Sequence, residues 1–287
     1  IFAKHKISPV DEYCSKLYSC MRSLSKDKND PKLAILTPGI YNSAYFEHAY
    51  LAQQMGVELV EGSDLFVEKD KVFMKTVGGK EQLHSLYRRI DDLFLDPKVF
   101  NKKSMIGVPG IFKAWKKGNI SILNAPGSGV ADDKAVYSYV PKMIKFYLNE
   151  EPLIEQVETF LCHNKKHRDY VIQNISKLVV KPANESGGYG ILMGPKASKK
   201  ELSEYVKKIK KNPRNYVAQP LINLSTSPTL INNQLDPRHI DLRPFILSGS
   251  NHYVTQGGLT RVALKKGSMI VNSSQGGGSK DTWIIDS

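Results

Sequence analysis

The first stretch able to do chemistry runs from Leu178 to Gly190, LVVKPANESGGYG. Leu178, Val179 and Val180 are apolar and largely β-branched, and Lys181 and Pro182 close the run, as in a short buried strand. Gly187, Gly188 and Gly190 follow in a loop. A lysine at a strand end facing such a loop suits a nucleotide triphosphate. The ammonium neutralises phosphate oxygens, and glycines let backbone N–H groups approach where a Cβ would stand in the way. The stretch is not a Walker loop, because no Gly-Lys-Ser/Thr ends it, and it is not the dinucleotide GxGxxG. A lysine ending a strand is also a common solvated edge, so the rest of the chain must decide.

A second cluster is Arg88-Arg89-Ile90-Asp91-Asp92, after an expected strand over His84 to Tyr87. Adjacent arginines and carboxylates at a strand end read equally as a surface ion-pair network or as a grip on a carboxylate-bearing substrate. Glu47 and His48 join Arg88, Arg89, Asp91 and Asp92 as acceptor-side candidates. A third group, Cys162, His163 and His167, lacks the second ligand pair of a zinc site and sits in a polar, lysine-rich turn, so it reads as structural.

Composition narrows the classes. The hydrophobic share of 41% and charged share of 24% fit a soluble globular protein, and 287 residues allow one large or two ordinary domains. No apolar run approaches the roughly 18 residues of a membrane helix. Ile1 to Val10 shows no signal-peptide core, and the three cysteines form no CxxC, which points to reduced thiols and a cytoplasmic setting. The chain does not start with Met, consistent with an incomplete gene product. A net charge of +13 calls for anionic partners, but the lysines are spread out. In the densest run, Lys199 to Lys211, Leu202, Tyr205, Val206 and Ile209 recur at helical spacing, giving an amphipathic helix with a solvated basic face. No stacking aromatics alternate with the basic residues, which argues against nucleic acid.

The elements that must position these groups alternate. The pattern predicts a helix over Pro9 to Ser25 and a strand over Leu33 to Leu36. A helix over Ala44 to Met55 follows, capped by Ser43 and ended by Gly56, then a strand over Val57 to Val60. That order is the unit of a parallel, Rossmann-like sheet. A hairpin spans Phe66 to Val77, a helix Pro109 to Lys117 and a strand Ile120 to Leu123. The turn from Asn124 to Gly129 is the expected domain boundary, dividing residues 1–125 from 126–287. Beyond it, Asp132-Asp133-Lys134 starts a helix packing through Val136, Tyr139, Val140 and Ile144, with a kink or break at Pro141. Strands then cover Leu178 to Lys181, Tyr216 to Gln219, His239 to Leu247, Tyr253 to Thr255 and Leu259 to Leu264. A glycine loop over Ser273 to Ser279 suits phosphate or carboxylate.

The order of parts in the second half resembles the nucleotide-binding half of ATP-grasp ligases: Asp-Lys at a helix start, a lysine strand, a glycine lid, a hinge strand and arginine-bearing strands. The blocks LYRRIDDLFLDP, NAPGSGVADDKAVYSYVP, KPANESGGYG, PRHIDLRPFILSG and VNSSQGGGSKDTW look like the circularly permuted ATP-grasp family, from about Leu33 to the end of the chain. The resemblance implies an α/β fold with a Rossmann-like pre-ATP-grasp domain followed by an ATP-grasp nucleotide-binding domain. It implies ATP and Mg²⁺ as cofactors and an amide-forming ligase that works through an acylphosphate on small-molecule or peptide carboxylates and amines. Lys134 and Lys181 would contact phosphates, Gly187, Gly188 and Gly190 would form the lid, and Gln219 and Leu221 would line the adenine pocket. Arg243 and Arg261, with Asp241, would make the catalytic set, and Asp241 and Asn272 the contacts to Mg²⁺ or substrate. The family's acidic Glu-x-Asn strand has no counterpart here. Its absence leaves open a fragment of an enzyme or a non-catalytic nucleotide-binding subunit working with a partner protein, and aromatic content permits a homo-oligomer.

Overall fold

The computed structural model describes residues 4–27, 29–184, 190–249, 251–271 and 276–285. Gly187, Gly188 and Asn272 lie outside them. By contacts the chain forms two compact units. The first holds residues 1–128, 244–258 and 282–287, and the second holds 129–243 and 259–281.

The first unit begins with α1 (Glu12–Leu24), β1 (Leu33–Leu36), α2 (Tyr45–Met55) and β2 (Glu58–Val60). It continues with β3 (Leu65–Glu68), β4 (Lys71–Thr76), β5 (Gly79–Gln82), β6 (Ser85–Arg88), α3 (Asp92–Leu95), α4 (Ile111–Lys116) and β7 (Ser121–Leu123). The main sheet has the order β2-β1-β6-β7, and every pairing in it is parallel. All four residues of β1 are buried, as an unbroken apolar run requires in a sheet covered on both faces. Leu33 and Ile35 pack on one face with Leu17 and Met21 of α1 and Ala52 and Met55 of α2. Ala34 and Leu36 pack on the other with Val72 and Met74 of β4 and Ile111 and Ala114 of α4.

Gly56 ends α2 in the left-handed region, as expected. The start of α2 differs. Ala44 and not Ser43 holds the capping position, with no side-chain cap, and the Asn42 carboxamide oxygen accepts from the Ala44 N–H at 2.9 Å in a turn just before the helix. The hairpin of β3 and β4 turns through Lys69 and Asp70, both at positive φ. The third strand, β5, was not expected; its Gly-Lys-Glu-Gln sequence has no apolar alternation to announce it. Asp96 is fully buried. Its Oδ1 accepts from the N–H groups of Lys98 and Gly110, and its Oδ2 from that of Phe112, which fixes the start of α4. Two glycines hold neighbouring loops: a Cβ on Gly62 would overlap the Ile106 carbonyl oxygen, and one on Gly107 that of Phe94.

The second unit contains α5 (Lys134–Tyr137), α6 (Val140–Leu148), β8 (Phe160–Leu161), α7 (Lys165–Gln173), β9 (Leu178–Pro182), β10 (Leu192–Met193), α8 (Lys199–Lys211) and β11 (Tyr216–Pro220). After β12 (Thr226–Ile231) and β13 (Gln234–Arg243), the chain supplies β14 (Ile246–Ser248) and β15 (His252–Val254) to the first unit, then forms β16 (Gly257–Ala263) and β17 (Gly277–Trp283). One sheet runs β10-β9-β11-β8 and is antiparallel; another runs β12-β13-β16-β17. The apolar face of α8, Leu202, Tyr205, Val206 and Ile209, packs with Ile175, Leu178 and Val180, and a Ser198–Glu201 capping box starts it.

The helix expected after Asp133 is two short ones. Pro141 sits in the first turn of α6, where its missing N–H costs nothing, and the break falls at Ser138 and Tyr139. Its expected packing face is not buried: Val136 and Ile144 are half-buried, and Tyr139 and Val140 are exposed. The other surprise is the β12–β13 hairpin, turned through Asn232 and Asn233 at positive φ. An Asn pair between two runs is a turn signal that the sequence did contain.

Candidate functional site

Strand β9 places Lys181 by simple alternation. Its apolar neighbours Val180 and Pro182 are buried, whereas Lys181 is half-buried and lines a cavity of about 420 Å³. That volume is within the common range of small-molecule pockets, about 300–1,000 Å³. Gln219 and Leu221 line it, together with Val179, Ile191, Met193, Met269 and Val271. The walls are therefore mostly aliphatic, with one cation and one amide. Such a slot suits a planar base whose phosphates extend toward the ammonium.

Lys181 Nζ donates to Gln219 Oε1 at 2.7 Å. Gln219 Nε2 in turn donates to Thr159 Oγ1 at 2.8 Å, and that hydroxyl donates to the Val157 carbonyl at 2.9 Å. The chain of bonds fixes which way the amide points: its oxygen faces the lysine. Burial pushes the Lys181 ammonium below its ordinary pKa of 10.5, and the charge of Lys134 pushes it further the same way. The two lysines thus act on one another electrostatically. Lys134 opens α5, its N–H donates to the Ala183 carbonyl at 2.9 Å, and Asp133 caps the helix by accepting from Ala135 and Val136. Ala135 packs with Leu161, Ala183 and Val217, which ties α5 to the end of β9.

On the second sheet, Asp241 and Arg261 are direct partners across β13 and β16. Arg243, two residues along the same face, bonds Asp241 with Nη2–Oδ2 at 3.0 Å. Arg261 Nε is buried with no hydrogen-bond partner among the described residues. A buried cationic donor left unmatched is what an anionic ligand would satisfy. Arg238, which sequence reasoning passed over, is 4% exposed and holds the Leu264 carbonyl and Asp236. Gly190 lies at positive φ, and the Tyr205 hydroxyl donates to its carbonyl at 3.0 Å.

Of the pair expected to hold magnesium, only Asp241 lies among the described residues. The Asp241 carboxylate is occupied by Arg243, and the described residues hold no group of three or more His, Cys, Asp or Glu able to bind a metal. The same holds around Cys162, a buried free thiol that burial pushes up to about 11; His167 Nδ1 there accepts from the Leu161 N–H.

In the first unit, Arg88 spends its donors within the protein. Nε donates to the Asn124 carbonyl at 2.6 Å, Nη1 to that of Ile90 at 2.7 Å and Nη2 to that of Ala125 at 3.1 Å. Nη2 also lies 2.7 Å from Asp92 Oδ1, and Asp92 Oδ2 accepts from Gly127 N. Arg89 is exposed over the Tyr87 ring. Glu47 and Asp91 are exposed. His48 is 1% exposed, with Nδ1 2.9 Å from Thr37 Oγ1; burial lowers its pKa, and Arg89 lowers it further. Arg89 and His48 thus share one neighbourhood at the carboxyl ends of β1 and β6, where open parallel sheets hold ligands.

The residues missed by sequence reasoning are the aliphatic walls, Ile191, Met193, Met269 and Ile270, and the positioning hydroxyl Thr159. Short apolar runs carry no hint that they face a cavity and not a core.

An antiparallel sheet that brings a lysine and a hinge-strand glutamine to an aliphatic slot, with arginines on a further sheet, is the plan of the ATP-grasp class. The chain belongs to the circularly permuted ATP-grasp type 2 family, whose model it matches over residues 1–263. It is 54% identical to an uncharacterized protein of Synechocystis over 99% of this chain and 60% of that protein. A Frankia alni protein with the provisional name glutamate–cysteine ligase 2-3 is 43% identical over 89% of this chain and 30% of its own length. The chain thus spans less than two thirds of these relatives. The ATP-grasp ligase PsnB complexed with minimal precursor is similar at 9% identity and a TM-score of 0.42, covering 83% of this chain and 88% of that one. Among the described residues no helix is long and apolar enough to cross a membrane.

Proposed function

We propose that this chain carries the nucleotide-holding and phosphoryl-stabilising residues of an ATP-dependent carboxylate–amine ligase. The observation that carries the reading is the half-buried Lys181, its ammonium on Gln219 at the wall of an aliphatic cavity, under the field of a second lysine.

When bound, ATP supplies the phosphoryl group that turns a substrate carboxylate into an acylphosphate, which an amine then attacks to give an amide and phosphate. The protein's part is binding and charge stabilisation. Val179, Met193, Leu221 and Val271 enclose the base. Lys181 and Lys134 neutralise phosphate oxygens, and binding favours the charged form of Lys181 that burial disfavours. Arg261 supplies an unmatched N–H to the transferred group, and Arg243 adds a second guanidinium where Asp241 releases it. The assignment of Gly187 and Gly188 to a water-excluding lid rests on the sequence alone, and no step here runs through a metal. Residues 1–125 are the proposed pre-ATP-grasp domain, with the Arg89–His48 neighbourhood on the acceptor side.

A second reading is a nucleotide-binding subunit without turnover. The pairing of Asp241 with Arg243 favours it, because that carboxylate is already matched by a cation of the chain.

The deciding experiment is a thermal shift with Mg·ATP on wild type and Lys181→Ala, followed by trapping of amide products from mixed acids and amines. An equal rise of the midpoint in both proteins removes the lysine assignment. Binding without ADP release, whatever the acid and amine offered, leaves the subunit reading.

A further inference from the structure

A second cavity, of about 390 Å³, lies in the first unit and takes no part in the chemistry above. It sits at the amino ends of the parallel strands. Ser121 begins β7, His84 immediately precedes β6, and Lys71 and Gln82 come from β4 and β5. The acceptor-side groups Arg88 and Arg89 are at the other end of β6, about 10 Å along the strand.

The lining is polar and donor-rich. Ser25 lines the cavity, is 1% exposed, and its Oγ is buried with no hydrogen-bond partner among the described residues. Lys26 and Lys71 contribute exposed ammonium groups that have no ion-pair or hydrogen-bond acceptor among the described residues. Gln82 adds a carboxamide. His84 Nδ1 accepts from the Lys32 N–H at 3.0 Å, so the ring proton is on Nε2 and makes that atom a donor. The one carboxylate in the lining, Asp27, accepts from the Asn29 N–H, and its Oδ2 stands 3.8 Å from His84 Nε2, too far for a hydrogen bond. Two ammonium groups against one carboxylate leave the cavity cationic.

We infer that this cavity binds a small phosphoryl or carboxylate anion, held by the ammonium groups of Lys26 and Lys71 and by the buried, unpartnered hydroxyl of Ser25. The two anions share the chemistry that the lining recognises: several negative oxygens that accept from ammonium, hydroxyl and amide donors at once. A bound anion would bridge the turn after α1 to β4 and to the start of β6. It would therefore tie together the elements that frame the parallel sheet without touching the nucleotide cavity.

The test titrates inorganic phosphate and, separately, succinate into the 287-residue chain at constant ionic strength in chloride, read by calorimetry. One saturable site is expected for at least one of the two, and which one saturates tells phosphoryl from carboxylate. The site is expected to persist in Lys181→Ala and to weaken by about tenfold or more in the double variant Lys26→Gln, Lys71→Gln. Ser25→Ala is the second probe, expected to weaken binding in the same direction, and it carries the test if the double variant does not fold. No saturable binding of either anion, binding that survives the double variant, or binding that requires Lys181 overturns the inference.

Discussion

Lys181 and Gln219 meet on a diagonal. In the register of β9 and β11, Lys181 stands opposite Val217 and Gln219 opposite Val179, yet the ammonium and the amide oxygen are 2.7 Å apart. Two residues of offset keep both side chains on the same face of the antiparallel pair. The contact therefore depends on register. A slip of one residue would turn the lysine to the other side of the sheet and empty the cavity wall of its cation.

Lys181→Met should shrink the thermal shift produced by a nucleotide, with binding weakened about tenfold to a hundredfold. Gln219→Leu should cost less, because it removes the acceptor that orients the lysine and leaves the charge. Calorimetry with a non-hydrolysable ATP analogue measures both, and an unchanged affinity in Lys181→Met rejects the assignment.

Nucleotide binding should be linked to proton uptake at alkaline pH. The free protein holds Lys181 below 10.5 through burial and Lys134, whereas phosphate favours the charged form and raises it. Between the lowered value and the raised one, binding draws a proton from solvent. Titrations in two buffers of different ionisation enthalpy read this directly. The uptake should vanish in Lys181→Met and at pH values well below the lowered pKa, where the lysine is already protonated.

Arg88→Met should lower stability by about 1–3 kcal/mol, because it takes a donor from several backbone carbonyls and a cation from a partly exposed carboxylate. The carbonyls of Ile90, Asn124 and Ala125 lose their donor, and the Asp92 carboxylate loses its cation. Urea unfolding measures the loss. Nucleotide affinity should stay near wild type. Turnover lost at unchanged stability would mean instead that Arg88 meets substrate.

His48 should make the first unit acid-sensitive. Its folded pKa lies below the ordinary 6.5, so the unfolded chain takes up a proton first as pH falls. The stability this neutral, buried ring contributes is fully present above 6.5 and is lost from there down to the folded pKa. His48→Asn should flatten that decline in unfolding midpoints measured across the range. An equally steep decline in the variant would remove His48 as its source.

Asp96→Ala should be destabilising by at least about 3 kcal/mol, since three backbone N–H groups lose a charged acceptor inside the protein. Asp96→Asn, which can satisfy part of the set, should recover some of the loss in the same denaturation assay.

Much of this organisation was legible because it repeats or is punctuated. The four apolar residues of β1, Gly56 at the end of α2 and the Lys199–Lys211 helix each follow from one local rule. Lys181 was legible as the single charge closing an apolar run. The capping role assigned to Ser43 fell to Ala44, one position on, because backbone geometry and not residue type sets where the helix begins. The packing expected of Val136 to Ile144 failed because apolar periodicity states that a face exists and not that anything covers it. The role of Asp96 at α4 was invisible for another reason: Gly110 and Phe112 lie 14 and 16 residues away, and no local pattern links a carboxylate to so distant a helix start.

Gly62 and Gly107 have a consequence for mutational screens. Carbonyl oxygens of Ile106 and Phe94 occupy the space that any side chain would need there. A library scored only for yield of folded protein would already reject every other amino acid at these two sites, while tolerating many replacements at 181. Invariance at 62 or 107 would thus report on assembly and say nothing about turnover. Comparing a yield screen with a nucleotide-binding screen is what would separate the two kinds of intolerance.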